Sequence, residues 1–184
     1  PLNTVKTFSG VEINNVNQIA VGGSTFSDPV NLFNDMQFGV LANSSSVDIG
    51  RTNFNSNSGS FIHTGVVANN CNVQIRLNQF NTFGTSMIFE INANNTTGDI
   101  YQNGFTGIAH DNANPISTAI LADASTTKMI NIGGVSVGNN FFNCENSISL
   151  KNQISSTIDE NTFTGTTKTN IDIFGGNNQV VNII

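Results

Sequence analysis

Charge is scarce in this chain. Six Lys and Arg and twelve Asp and Glu make up 10% of its 184 residues and leave a net charge of −6. No basic stripe is present to hold a nucleic-acid backbone. Tryptophan is absent, tyrosine occurs once, proline three times and cysteine twice. Two cysteines are too few for a disulfide framework, and without a CxxC pair there is no zinc knuckle. Cys71 and Cys144 therefore read as buried thiols. No apolar run approaches the ~18 residues of a membrane-spanning helix. The opening Pro1-Leu2-Asn3 has neither Met nor a signal-peptide pattern, so the expectation is a chain that has lost a leader or is a module of something longer.

What fills the space is asparagine, 32 residues or about 17%, with 17 Gly and 14 Phe. Asn side chains compete with helical backbone hydrogen bonds and favour turns. This excludes a helix bundle, a coiled coil and an alternating βα fold. Val, Ile, Leu and Phe recur throughout, which a disordered tract lacks.

A repeat organises them. Alignment on Phe26, Phe54, Phe80, Phe105, Phe142 and Phe163 places Val21, Ile49, Ile75, Ile100, Val137 and Ile158 five residues earlier. Two residues before each Phe stand Ser24, Thr52, Asn78, Asn103, Asn140 and Asn161. Seven before come Ile19, Val47, Val73, Gly98, Val135 and Ser156. The consensus is V-x-I-x-x-N-x-F, as in Val73-Gln74-Ile75-Arg76-Leu77-Asn78-Gln79-Phe80. Each copy predicts a short alternating strand, a tight turn and a second strand. A third apolar piece follows, as at Phe61-Ile62, Met87-Ile88-Phe89 and Ile148-Ser149-Leu150. Strands this short, repeated at 21 to 37 residues, cannot stand as isolated hairpins but can stack as coils of a solenoid. With about 4.8 Å between coils, the Val/Ile and Phe columns become internal stacks. Asn78, Asn103, Asn140 and Asn161 become an amide ladder, each tolerating the left-handed backbone of a corner.

The pattern resembles the right-handed parallel β-helix of pectate-lyase-like proteins and of many phage tailspikes. It covers about residues 11–184. The expectation is an all-β, right-handed parallel β-helix solenoid of about seven coils, forming a single domain over 1–184.

The resemblance implies where chemistry would lie: several Asp around calcium in a lyase, or paired carboxylates in a hydrolase. The best outward column is Ala20, Asp48, Gln74, Asp99, Ser136 and Thr157. Asp48 and Asp99 would stand two coils, roughly 9.6 Å, apart, at the limit of an inverting pair. Asp159 beside Glu160 is the remaining catalytic candidate, although strand neighbours point to opposite faces. No clustered carboxylates suggest a metal, and no cofactor is called for. Arg51 and Arg76 could form a mixed-charge patch beside Asp48 and Asp99. Gln74, Tyr101, His110 and Asp111 are candidates for binding glycan, the last two within an insertion over 106–117, where loops carry function. Residues 27–37 form a second extended turn that includes Phe33 and Met36. His63 follows an alternating strand.

The leading expectation is a structural and attachment module of a phage virion appendage: tailspike, tail fibre or head decoration. It would be a rigid homotrimeric spacer at the virion surface or otherwise extracellular, able to bind host-surface polysaccharide. Other virion proteins would meet both chain ends, and Phe83, Phe174 and one of Phe141 and Phe142 would face a neighbour. The alternative is an extracellular polysaccharide lyase or glycoside hydrolase of the same fold. Ice binding ranks below both, because the Thr pairs fall in turns of unequal length.

Overall fold

The computed structural model describes residues 9–34, 36–56, 63–82, 87–107, 118–165, 168–175 and 181–183. Among these there is no helix; the chain winds as a parallel β-solenoid. The first turn runs through β1 (Ser9–Asn14), β2 (Ile19–Gly22) and β3 (Asn31–Asn34), the second through β4 (Phe38–Asn43), β5 (Ser46–Gly50) and β6 (Thr52–Ser56). The third comprises β7 (His63–Asn69), β8 (Asn72–Arg76) and β9 (Gln79–Thr82), the fourth β10 (Met87–Asn94), β11 (Thr97–Tyr101) and β12 (Gly104–Thr106). The fifth comprises β13 (Thr118–Lys128), β14 (Ile130–Gly133) and β15 (Asn140–Phe142). Then follow β16 (Asn146–Gln153), β17 (Ser156–Asp159) and β18 (Thr162–Thr164), with β19 (Thr169–Phe174) and β20 (Val181–Ile183) last. Every third strand pairs, giving a first sheet that starts at β1, a second at β2 and a third at β3.

About five turns, rather than the expected seven, make up the closed solenoid. The reason is burial. The first turn buries only Ile13 and Val21, and β19 buries none of its residues, so both flank a core without enclosing one.

Alternation decides which side chains enter that core. Val40, Val66, Ile91, Ile120 and Ile148 form one column of the first sheet, beside Ala42, Ala68, Ala93, Ala122 and Leu150. Ile49, Ile75, Ile100, Ile132 and Ile158 form the second sheet's column. In the third sheet Phe33, Phe54, Phe80, Phe105, Phe141 and Phe163 stack ring on ring at 5.5, 4.8, 4.9, 4.8 and 5.1 Å between centroids. The inner rings lie within 5° of parallel. Cys71 and Cys144 are both buried.

Several positions of the repeat shift. Phe33, not Phe26, begins the ring stack, and Phe141, not Phe142, continues it; Phe26 is 69% exposed and Phe142 48%. The ladder residue is Asn139, not Asn140, which points outward. Ile130 and Ile132 occupy the aliphatic columns assigned to Val135 and Val137, and Val135 is exposed. One cause underlies these fifth-turn errors. A turn between Gly133 and Asn139 separates β14 from β15, adding residues that a fixed offset from Phe cannot absorb. Residues 27–37 are likewise not one loop, since β3 lies within them. Phe61-Ile62, Phe83 and 108–117 fall outside the described residues.

The corner between the second and third sheets holds the ladder. The Thr52 N–H donates to Asn78 Oδ1 (3.0 Å), the Asn78 N–H to Asn103 Oδ1 (3.0 Å), the Asn103 N–H to Asn139 Oδ1 (3.0 Å) and the Asn139 N–H to Asn161 Oδ1 (3.0 Å). Each Nδ2 also donates to a carbonyl of the previous turn: Ile49, Ile75, Ile100 and Ile132 in order. The buried corner thereby satisfies backbone groups that no strand reaches. At four of the five ladder positions the left-handed residue is the one before: Arg51 (φ 50°) before Thr52, Leu77 (φ 60°) before Asn78, Gln102 (φ 55°) before Asn103 and Glu160 (φ 49°) before Asn161. Asn is required for its amide, not for its backbone tolerance.

Candidate functional site

The outer face of the second sheet carries most of the polar candidates. Register places Ala20, Asp48, Gln74, Asp99 and Asn131 in one column, with Asn131 where Ser136 was expected. The adjacent column holds Gly50, Arg76 and Tyr101. Asp48, Gln74, Asp99, Arg76 and Tyr101 are thus brought together on three strands. Gln18, Ser46, Asp48, Asn72 and Gln74 line a shallow groove there, about 210 Å³ in volume.

The two carboxylates are separately engaged. Arg76 Nη2 donates to Asp48 Oδ2 at 2.6 Å, and Arg76 Nη1 to the Ser24 carbonyl at 2.6 Å. The hydrogen bond that Arg76 donates to Asp48 holds its guanidinium pKa above the ordinary value. Asp99 Oδ1 accepts a bond from Asn131 Nδ2 at 2.9 Å, on the side away from Asp48. Gln74 stands between them, and each carboxylate bonds a different neighbour. Burial raises the Tyr101 hydroxyl pKa, and the nearby Arg76 charge opposes that rise. Arg51 does not join the patch. Its Nε and Nη2 donate to the Asp28 carbonyl at 3.2 and 3.1 Å.

Asp159 lies elsewhere. It pairs in register with Gly133, two strands beyond Tyr101, and is 8% exposed. Its carbonyl accepts a bond from Asn161 Nδ2. Glu160 points outward and accepts the Ser136 N–H. The Asp159 backbone and the Glu160 carboxylate thus each take part in a turn contact. His63 begins β7, opposite Met87. His110 and Asp111 lie outside the described residues.

Two outer ladders escape the Phe-anchored alignment. Along the first sheet Asn43 Nδ2 donates to Asn14 Oδ1 (2.8 Å), Asn69 to Asn43 (2.9 Å) and Asn94 to Asn69 (2.9 Å). On the third sheet Asn55 donates to Asn34 (3.0 Å) and Asn81 to Asn55 (2.9 Å). The signal was present in Asn43-Ser44-Ser45, Asn69-Asn70-Cys71 and Asn94-Asn95-Thr96, where a left-handed residue follows each ladder Asn. The third member caps the corner: Ser45 Oγ accepts the Val16 N–H, and Thr96 Oγ1 accepts the Cys71 N–H.

Among the described residues, no group of three or more His, Cys, Asp and Glu could hold a metal ion, and no helix is long and apolar enough to cross a membrane. No family model matches the chain, and no curated protein or solved structure matches it significantly.

Proposed function

We propose that the chain is a rigid, non-catalytic spacer and attachment module of a virion surface appendage such as a tailspike, tail fibre or head decoration. It works as a homotrimer that presents a glycan-binding face. The observation that carries the spacer reading is the continuity of the ladder from Thr52 to Asn161 and of the ring stack from Phe33 to Phe163. Each turn is bonded and packed only to its neighbours, which makes a stiff rod whose surface can vary. Trimerisation would cover outward apolar groups such as Phe142 (48% exposed). Virion placement rests on the resemblance to tailspike β-helices. The non-catalytic part draws on the separate engagement of Asp48 by Arg76 and of Asp99 by Asn131.

Sedimentation equilibrium tests the assembly: the expected species is a trimer, and a stable monomer at micromolar concentration overturns it. Incubation with neutral and anionic polysaccharides, with and without calcium, tests the rest. Oligosaccharide release abolished by Asp48→Asn or Asp99→Asn would establish the enzymatic alternative instead.

A further inference from the structure

The outer ladder of the first sheet changes chemistry partway along. Asn14, Asn43, Asn69 and Asn94 pass amide bonds in one direction, each Nδ2 donating to the preceding Oδ1. The next position in register is Asp123, followed by Lys151 and Phe174. The Asp123 side chain has no N–H to donate, so the amide ladder stops at Asn94 and a carboxylate takes the next place. In the neighbouring column stand Leu121, Ser149 and Asp172. These two columns frame a groove of about 340 Å³ across β13, β16 and β19.

Its chemistry is specific. Phe174 is 41% exposed, and Lys151 Nζ lies 5.9 Å from its ring centroid while bonding Asp123 Oδ2 at 2.8 Å. The lysine therefore ties ring and carboxylate into one arrangement. The groove offers an aromatic face, an aliphatic side chain, a hydroxyl and several oxygen acceptors. Two carboxylates against one ammonium disfavour an anionic ligand. A ligand with one apolar face and a rim of hydroxyl donors matches this set.

We infer that this groove is a saccharide-binding subsite for a neutral sugar unit, which stacks on Phe174 and donates hydroxyls to the carboxylates of Asp123 and Asp172. It rests on the attachment reading above but places the glycan on the first sheet, away from Gln74 and Tyr101.

The full chain, labelled with ¹³C in its Phe and Tyr rings, is titrated with cellotetraose, maltotetraose and chitotetraose, and with tetragalacturonate as the anionic control. The expected result is saturable movement of the Phe174 ring signals with at least one neutral tetrasaccharide. Binding should weaken at least tenfold in Phe174→Ala, persist in Phe174→Tyr and be unchanged in Phe142→Ala. Spectra of each variant report whether it is folded, and Phe174→Tyr keeps the test valid if Phe174→Ala is not. Saturable movement at Tyr101 without Phe174 overturns the subsite and leaves the attachment reading standing. Preference for tetragalacturonate overturns the neutral-sugar assignment. No movement of any ring with any probe overturns both.

Discussion

Replacing Asn139 and Asn140 one at a time separates two adjacent side chains of the same chemistry. Asn139→Ala removes the acceptor for the Asn103 N–H and the donor to the Ile100 carbonyl, both buried. Each orphaned group costs about 1–3 kcal/mol, so the expected loss is about 3 kcal/mol or more. Asn140 points to solvent, and Asn140→Ala should stay within about 0.5 kcal/mol. Urea denaturation of the pair reads the difference, and equal effects would contradict the ladder's register. Phe141→Ala against Phe142→Ala extends the comparison to the ring stack, with about 3–5 kcal/mol expected only for the buried ring. Asp28 offers a pH test. Its carboxylate accepts the Thr25 and Ser24 N–H groups, which hold its pKa below the ordinary 3.8. The turn's gain is complete above that value and disappears as pH falls through the lowered one. A carboxyl ¹³C titration of Asp28, followed with the Ser24 and Thr25 amides, should show a midpoint below 3.8.

Within single elements, strand contacts dictate which residues are interchangeable. Gly98 occupies an aliphatic column of β11, between Val73 and Ile130. Its φ is +132°, and a Cβ there would lie 1.9 Å from the Val73 carbonyl oxygen. Gly98→Val, which the V-x-I consensus would suggest as an improvement, should instead cost about 3 kcal/mol or more. The melting temperature and soluble yield check it. The same element-level geometry explains why the repeat was legible and where it slipped. Strands β5 and β8 carry V-x-I and β11 carries Gly98-Asp99-Ile100, and each is followed by Thr or Asn two residues before Phe because these corners have equal length. The extra turn after Gly133 sets Asn139 seven positions after Ile132, where Asn103 lies three positions after Ile100, and Asn139-Asn140-Phe141-Phe142 offers an equally good match one position late. Only burial distinguishes them.

For the whole molecule, stability should fall from the middle towards both ends. A solenoid is a sum of turns and interfaces between neighbours, and end turns have one neighbour fewer. Native-state hydrogen exchange should protect the amides around Val66, Ile91 and Ile120 most strongly, and those of β2 and β19 least. Uniform protection from Ile19 to Phe174 would show instead that the rod unfolds as one unit. Loss of a central ladder residue such as Asn103 should then split the rod's protection into two halves, a behaviour that a globular core would not show.

Composition and period were enough to determine the architecture. High Asn, low charge and V-x-I-x-x-N-x-F allow little besides short strands stacked in parallel, because a pattern repeated at one coil's length places like residues above like. Most of the inner ladder and of the ring stack follow from that alone. What tertiary structure decided was which of two neighbouring candidates faces inward and what the outward ones touch. Asp48 and Asp99 look like a pair along the chain, yet Gln74 stands between them and each bonds a different neighbour, Arg76 and Asn131. Asp123, Lys151 and Phe174 look unrelated, yet one register aligns them. Outward side chains are free of the core's packing constraint, so the repeat carries little record of them, and their company is set only once the turns are stacked.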